Sequence, residues 1–151
     1  PPYMPDPAGG AAYVPNPASD MIEGSRDGYF TRPVQVAFTP DGLHIAVADR
    51  SNIRVQLILI ADGSFVRKME ITKPNRDYVS GVAVDRAGNI VILTDEYLWL
   101  FDITGRVIHD RLGGKEMCPS GGRYCALAMD PVHGRLAVAK TGGKVQVSHH
   151  D

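Results

Sequence analysis

The side chains most often used for catalysis and metal binding are few and scattered in this sequence. The chain has five histidines, at His44, His109, His133, His149 and His150. Only the last two are adjacent, and a terminal histidine pair without supporting partners in sequence is typical of a tail rather than a metal site. We therefore predict no metal site, no catalytic residue and no cofactor.

The two cysteines leave an alternative open. Cys118 and Cys125 bracket the sequence Pro-Ser-Gly-Gly-Arg-Tyr, so they are close enough along the chain for a disulfide. Two cysteines without a visible secretion signal are more typical of free thiols, which is the interpretation we favour. Nothing in the sequence places a histidine beside either thiol, as a cysteine nucleophile requires.

Four aspartates follow apolar strand patterns at recurring positions: Asp49, Asp85, Asp95 and Asp130. Paired carboxylates can perform acid–base chemistry, but the same position repeated along a chain favours a structural role. Aspartate accepts hydrogen bonds from backbone amides at turns. We predict that these four residues fix turns.

The elements that position these residues are short strands, best defined between Phe30 and Val66. Val34–Phe38, His44–Ala48 and Ile53–Ile60 are apolar and rich in β-branched residues. Two Asp-Gly pairs in this stretch interrupt the apolar runs, and Asp-Gly between apolar runs is a strong hairpin signal because the turn requires positive φ. The stretch predicts an antiparallel meander.

The rest of the chain repeats this unit. Gly42, Gly88 and Gly134 lie 46 residues apart, and each is preceded and followed by an apolar strand pattern. Four strands recurring at roughly 40–50 residues are typical of a propeller blade. We predict an all-β fold of about three four-stranded antiparallel blades, half of a six-bladed ring.

The repeat also resembles a known family. Gly24–Pro33 is similar to the lead-in of an NHL repeat, and Val47–Leu57 is similar to its Val-Ala-Asp-x-x-Asn-x-Arg-Val-Gln core. Thr94–Phe101 lacks the Asn-x-Arg element, and Val138–Val147 keeps Lys-Val-Gln-Val but loses the aspartate. The resemblance covers about residues 21–148. It implies a β-propeller that recognises a protein or an RNA.

The predicted organisation is a proline-rich linker or extended arm at 1–20, blades at about 21–70, 71–111 and 112–148, and a tail at 149–151. The third blade ends with the strand pattern Lys144–Ser148, so we expect it to lack an outer strand. An exposed strand edge is a template for pairing. This predicts either a homodimer, in which the segment near Met21 pairs with that edge, or a chain that is half of a longer or cleaved propeller and needs a partner half-propeller to complete the ring.

Basic side chains are the candidate binding residues. In a meander, the loops before the first strand and between the second and third strands share one face. This face leans basic although the net charge is −1. Solvated surface charge is the alternative interpretation. The candidates on the motifs and loops of this face are Arg32, Arg50, Arg54, Lys73, Arg76, Arg123, Lys140 and Lys144.

Net charge and hydrophobicity argue against some classes of function. A net charge of −1 argues against binding nucleic acid through bulk electrostatics. No apolar run approaches the roughly 20 residues that span a bilayer, and no signal peptide is visible. These features favour a cytoplasmic protein that does not enter membranes.

Two functions remain open. The first is a non-catalytic scaffold that recognises a protein or peptide, or single-stranded RNA, through the basic face. The alternative is a propeller enzyme of lyase or lactonase type with a metal in the central channel. That enzyme needs converging His, Asp or Glu from several inner strands, and the inner strands here end in apolar residues. Binding is therefore favoured.

Overall fold

The computed structural model describes residues 3–4, 14–15, 24–71, 77–113 and 123–149, and the regular elements in these ranges are all β-strands. Met21, Ile22 and Cys118, on which parts of the predictions rest, lie outside these residues.

Strands β1 (Tyr3–Met4) and β2 (Val14–Pro15) form an antiparallel pair within the predicted arm. The domain boundaries stay a prediction. The described part contains no helix long and apolar enough to cross a membrane.

The first sheet, here called blade one, is a four-stranded antiparallel meander in the order β3-β4-β5-β6. Its strands are β3 (Pro33–Phe38), β4 (His44–Asp49), β5 (Arg54–Leu59) and β6 (Phe65–Glu70). These segments contain many β-branched and aromatic residues, which favour the strand conformation because their side chains pack well on a pleated surface.

Blade two repeats the arrangement. Its strands β7 (Val79–Val84), β8 (Ile90–Thr94), β9 (Tyr97–Phe101) and β10 (Val107–Gly113) form the second four-stranded meander. β7 and β8 are buried almost along their whole length. Both faces of blade two are therefore covered, as expected for the middle of three stacked sheets.

Blade three has three strands within the described part of the chain: β11 (Tyr124–Asp130), β12 (Arg135–Lys140) and β13 (Lys144–His149). The predicted all-β fold of propeller-type blades is confirmed, with three strands of blade three among the described residues. The repeated turn is confirmed as well, because Gly42, Gly88 and Gly134 all have left-handed φ values, of 71°, 86° and 63°. Glycine adopts these values without steric cost.

Two apolar cores lie between successive blades. Between blades one and two, Ala46, Val55 and Met69 face Val82, Ile92 and Trp99, all at most 4% exposed. Between blades two and three, Leu93 and Leu98 belong to one cluster with Leu127 and Val138. Burial of this kind contributes roughly 1.5–3 kcal/mol for each large side chain. Stacking of sheets therefore holds the chain together.

One polar side chain crosses both interfaces. The amide of Gln35 on β3 donates to the backbone carbonyl of Leu127 on β11 at 3.1 Å and accepts from the backbone amide of Val82 on β7 at 3.0 Å. Gly81 leaves the space for it, since a Cβ there would lie 2.5 Å from Gln35 Oε1 and 2.5 Å from Leu127 Cδ2. The innermost strands of the three blades are thus joined by one residue.

The burial of Val82 yields a prediction for the fold. Val82 is 1% exposed, so the Val82→Asp variant places a polar group in the core without a partner, at a cost of roughly 2–7 kcal/mol. We expect it to unfold at a much lower urea concentration than the wild type. Val132→Asp is the matched control, because Val132 is 68% exposed in a turn. Equal midpoints for the two variants would contradict the strand assignment.

Candidate binding groove at the blade rim

The candidate site is built on a backbone hydrogen bond that recurs in all three blades. In each blade, an amide after the second strand donates to a carbonyl at the entrance of the first strand, at 2.8–3.0 Å. The pairs are Arg50 to Arg32, Asp95 to Tyr78, and Thr141 to Arg123. These residues therefore occupy equivalent positions, and they come together at one rim of the stacked blades.

A groove of about 330 Å³ opens at this rim. Its lining residues come from all three blades: Arg32, Val34, Arg50, Ser80, Asp95, Arg123, Tyr124, Cys125 and Thr141. The structure thus brings together three of the predicted basic residues, Arg32, Arg50 and Arg123. We call this site the rim groove.

Asp95 is the one acidic residue among those that line the rim groove, and it contacts two of the arginines. Its carboxylate accepts two hydrogen bonds from the Arg50 guanidinium, both of 2.9 Å, in the planar fork geometry that arginine favours. Arg50 also lies over the Tyr78 ring, 5.3 Å from the centroid. The hydrogen bond to Asp95 is the main cause that raises the pKa of Arg50 above its ordinary value. Arg50 is therefore committed to a contact between blades one and two.

The other two arginines reach further into solvent. Arg123 Nη1 lies 3.7 Å from Asp95, and 68% of its side chain is exposed. Arg32 is exposed as well. With three arginines and one aspartate among its lining residues, the rim groove has a formal charge of +2. Its mouth is suited to an anionic group.

Asp49 holds the backbone of Arg32 in place. The buried Asp49 carboxylate accepts from the backbone amides of Arg32 at 2.8 Å and Thr31 at 3.2 Å. The Asn52 amide donates to the same carboxylate at 2.7 Å. The next residue, Ile53, has a φ of 54°, which is unusual for a β-branched residue. The strained backbone at Ile53 is maintained by two contacts: the hydrogen bond from Asn52 to Asp49 and the packing of Ile53 on the core.

Arg54 is not a surface binding residue, which corrects the prediction. It is 3% exposed and donates to the carbonyls of Ser25 at 2.9 Å, Arg26 at 3.1 Å and Tyr29 at 2.6 Å. The buried side chain of Gln56 also donates to the Tyr29 carbonyl, at 2.7 Å. Together they fix the segment 24–30 against blade one, so the Asn-x-Arg-Val-Gln pattern has a structural role here.

The remaining basic candidates divide into three cases. Lys140 is 5% exposed, and its Nζ lies over the buried Tyr124 ring, 4.7 Å from the ring centroid. Its prediction as a surface binding residue is therefore corrected as well, because the side chain lies in the interior. Lys144 is exposed but does not line the rim groove. Lys73 and Arg76 lie outside the described residues.

The predicted structural role of the aspartates is confirmed at three of four positions. Asp49 accepts loop amides, Asp85 accepts from the amides of Ala87 and Asn89, and Asp130 accepts from those of Val132 and His133. Asp95 instead pairs with arginine. Arg50 and Asp95 lie 45 residues apart, at equivalent positions of adjacent blades.

A histidine–carboxylate contact lies at the β11–β12 turn, outside the rim groove. Asp130 Oδ2 is 2.9 Å from His133 Nδ1 and accepts from Arg135 at 2.6 Å. These contacts, chiefly that with Arg135, lower the pKa of Asp130 well below its ordinary value. All three side chains are substantially exposed. The cluster closes the turn next to Gly134.

Two further features bear on possible catalysis: a pocket between the inner strands and the thiol of Cys125. A pocket of about 260 Å³ between the inner strands is lined chiefly by apolar residues such as Val36, Val84 and Leu127. Within the residues that the structure describes, no three His, Cys, Asp or Glu are grouped so that they could hold a metal ion. Cys125 is an exposed cysteine at the edge of the rim groove, and the choice between a disulfide and free thiols stays a prediction because Cys118 lies outside the described residues.

Comparison with known proteins supports the fold. No family model and no curated protein sequence matches the chain, so the NHL resemblance is not confirmed at the level of a family. Among solved structures, a gluconolactonase from Xanthomonas campestris matches with a TM-score of 0.55 and 19% sequence identity, over 76% of this chain. The chain spans 37% of the length of that propeller protein. At this identity the likeness shows a propeller-type fold of antiparallel sheets.

The Arg50–Asp95 pair yields a prediction for stability. Asp95→Asn removes a half-buried, bidentate contact between blades and should lower the free energy of unfolding by about 1–3 kcal/mol, measured by urea denaturation. Asp27→Asn is the matched control, since Asp27 pairs with Lys68 at the same 2.9 Å but both side chains are more than a third exposed. It should cost at most about 1 kcal/mol. Equal losses would contradict the structural role of Asp95.

The Asp130 cluster yields a pH prediction. A carboxyl group whose pKa is lowered on folding stabilises the fold above its ordinary pKa of 3.8, and this stabilisation is lost as the pH falls below that value. Asp130→Asn should therefore be less stable than the wild type at pH 7, and the difference between the two urea midpoints should shrink progressively as the pH falls from about 4 towards the lowered pKa of Asp130 in the folded protein. A difference that stays constant over this range would show that the charge of Asp130 is not involved.

Proposed function

We propose that this protein is a non-catalytic, propeller-type binding module that takes a carboxylate-bearing peptide segment in the rim groove. The observation that carries the proposal is the convergence of Arg32 and Arg50 of blade one and Arg123 of blade three on one groove of about 330 Å³. Arginine forms bidentate hydrogen bonds with carboxylates, which gives both affinity and orientation.

The distribution of charge in the rim groove decides which arginines contact the ligand. Asp95 neutralises Arg50 through two hydrogen bonds, so Arg50 is a positioning residue that keeps the carboxylate of Asp95 occupied. Arg32 and the 68% exposed Arg123 provide the net positive charge at the mouth. These two are the residues that we assign to the ligand carboxylates.

A peptide is favoured over single-stranded RNA by the aromatic residues of the rim groove. Proteins that bind single strands stack bases on exposed aromatic side chains, in addition to contacting phosphates. Tyr124, which lines the rim groove, is only 3% exposed and lies under Lys140. The neighbouring Tyr78 is covered by Arg50. The described rim offers cations without an aromatic stacking surface.

The propeller enzyme is the second candidate, and the fold likeness to a gluconolactonase favours it. Its test is direct. Purified protein is assayed for hydrolysis of gluconolactone, and its metal content is measured. Under the binding proposal the hydrolysis rate stays at the uncatalysed background. Stoichiometric metal together with turnover would establish the enzyme and overturn the proposal.

The binding proposal predicts a specific loss on charge reversal. A fluorescein-labelled peptide of alternating Glu and Gly is titrated with protein, and fluorescence anisotropy is recorded. Arg32→Glu combined with Arg123→Glu should weaken binding at least about tenfold, which corresponds to 1.4 kcal/mol. The wild-type affinity should also fall as salt is raised, because exposed charges are screened.

The control variant matches the change in net charge. Arg86 and Arg106 are exposed and lie outside the rim groove, so Arg86→Glu combined with Arg106→Glu should bind the peptide like the wild type. An equal loss of affinity in both double variants would show that only the net charge of the protein matters, and would contradict the assignment of Arg32 and Arg123. Binding of an oligouridine in place of the peptide, or of neither probe, would reject the peptide proposal.

A further inference from the structure

The innermost strand of each blade carries a β-bulge at its second residue. In the pairing of β3, β7 and β11 with their neighbours, one extra residue stands between the first two pairs of the register. The extra residues are Val34, Ser80 and Cys125. They lie 46 and 45 residues apart, at equivalent positions of the three blades. A bulge re-aims the side chain of its residue, and bulges are frequent beside functional sites.

All three bulge residues line the rim groove. Val34 and Cys125 are exposed and Ser80 is half-buried. We call these three residues the bulge floor, because they lie on the strands, whereas the arginines of the rim groove lie on the segments that connect or precede the strands. The rim groove thus combines a charged mouth with a floor of three short side chains.

The bulge floor presents mainly apolar surface to a ligand. The Ser80 hydroxyl donates to the Leu93 carbonyl at 3.3 Å, and the Cys125 thiol donates to the Ala139 carbonyl at 3.5 Å. Both donors are therefore engaged within their own blade, and Val34 has no polar side-chain atom. An aliphatic ligand group over the floor leaves these hydrogen bonds intact, so it is not penalised by the loss of a polar contact.

The charged mouth and the bulge floor have a fixed relation along the chain. Arg32 stands two residues before Val34, and Arg123 stands two residues before Cys125. The backbone amide of Arg123 donates to the Thr141 hydroxyl at 2.8 Å, as that of Arg32 donates to a buried carboxylate at 2.8 Å. In blades one and three, a cation is thus held at the same offset from a residue of the floor.

We propose that the rim groove selects peptides in which a short aliphatic side chain stands two positions from an acidic one. The inference rests on the proposed function and adds the second half of the ligand. Side chains i and i+2 of an extended peptide point to the same face, so the carboxylate meets an arginine while the aliphatic group covers the bulge floor. Ligand pockets commonly combine apolar walls with a few polar groups that fix orientation.

The size of the rim groove is compatible with this ligand. An enclosed apolar cavity of about 150 Å³ holds one benzene molecule. The rim groove measures about 330 Å³. It therefore has room for one aliphatic side chain together with a carboxylate.

Two fluorescein-labelled peptides of equal charge test the selection. They are Glu-Gly-Val-Gly-Glu and Glu-Gly-Gly-Gly-Glu, titrated with the full chain by fluorescence anisotropy. Each buried methylene group is worth roughly a fourfold change in affinity. The valine peptide should therefore bind at least about tenfold more tightly than the glycine peptide, and Arg32→Glu combined with Arg123→Glu should weaken both.

The Val34→Ser variant assigns the selection to the bulge floor. Serine already occupies the equivalent bulge at Ser80, so the fold should be kept, which circular dichroism checks. The variant should lower the preference for the valine peptide at least about threefold and leave the affinity for the glycine peptide unchanged. Val107→Ser on β10 is the matched control, because Val107 is 46% exposed and Val34 is 41% exposed. It should keep the wild-type preference.

The thiol of Cys125 reports directly on occupation of the floor. In a Cys118→Ser protein, Cys125 is the remaining cysteine. The rate of its alkylation by iodoacetamide is measured with each peptide at equal occupancy. The valine peptide should slow the reaction more than the glycine peptide, because its side chain lies over the floor.

The outcomes separate this inference from the proposed function. Equal affinities of the two peptides for the wild type, both still weakened by the arginine reversals, would overturn the selection and leave the binding proposal standing. Equal effects of Val34→Ser and Val107→Ser, or equal protection of Cys125 by the two peptides, would also overturn it. Binding of neither peptide would reject both proposals.

Discussion

The side-chain amide of Gln35 links the three blades where their inner strands approach each other. It accepts a hydrogen bond from blade two and donates one to blade three, and the missing side chain of Gly81 leaves room for it. Gln35 is half-buried, and an amide shielded from water is costly unless it is paired. Its two bonds therefore tie the inner strand of blade one to the inner strands of blades two and three.

A second set of buried polar residues holds the entrance of the fold in place. Asp49, Arg54 and Gln56 are at most 3% exposed and bind backbone groups of residues 25–32. In blade two, Thr94 stands at the position of Asp49, and its hydroxyl donates to Asp77 of the preceding connector. In blade three the position is Lys140, over Tyr124. Each blade thus ties its entrance down with different chemistry at the same place.

This divergence at equivalent positions creates the candidate site. Arg50, Asp95 and Thr141 occupy the same place in successive blades, and a strict repeat would have placed like charges side by side there. The aspartate of blade two instead pairs with the arginine of blade one, while Arg32 and Arg123 keep the rim cationic. A repeat fold is well suited to such a site, because its loops can change without altering the packed strands.

The sequence by itself determined the strands, the turns and the blade repeat, because alternation, Asp-Gly turns and a 46-residue period are local signals that packing did not override. It also brought Arg32, Arg50 and Arg123 to one face through the alternation of strand direction. Only the tertiary structure decided that Arg54 and Lys140 are interior, that Asp95 neutralises Arg50, and that Gln35 joins the blades. These facts depend on which blade lies beside which, and contacts between residues 45 or 92 positions apart leave no local pattern.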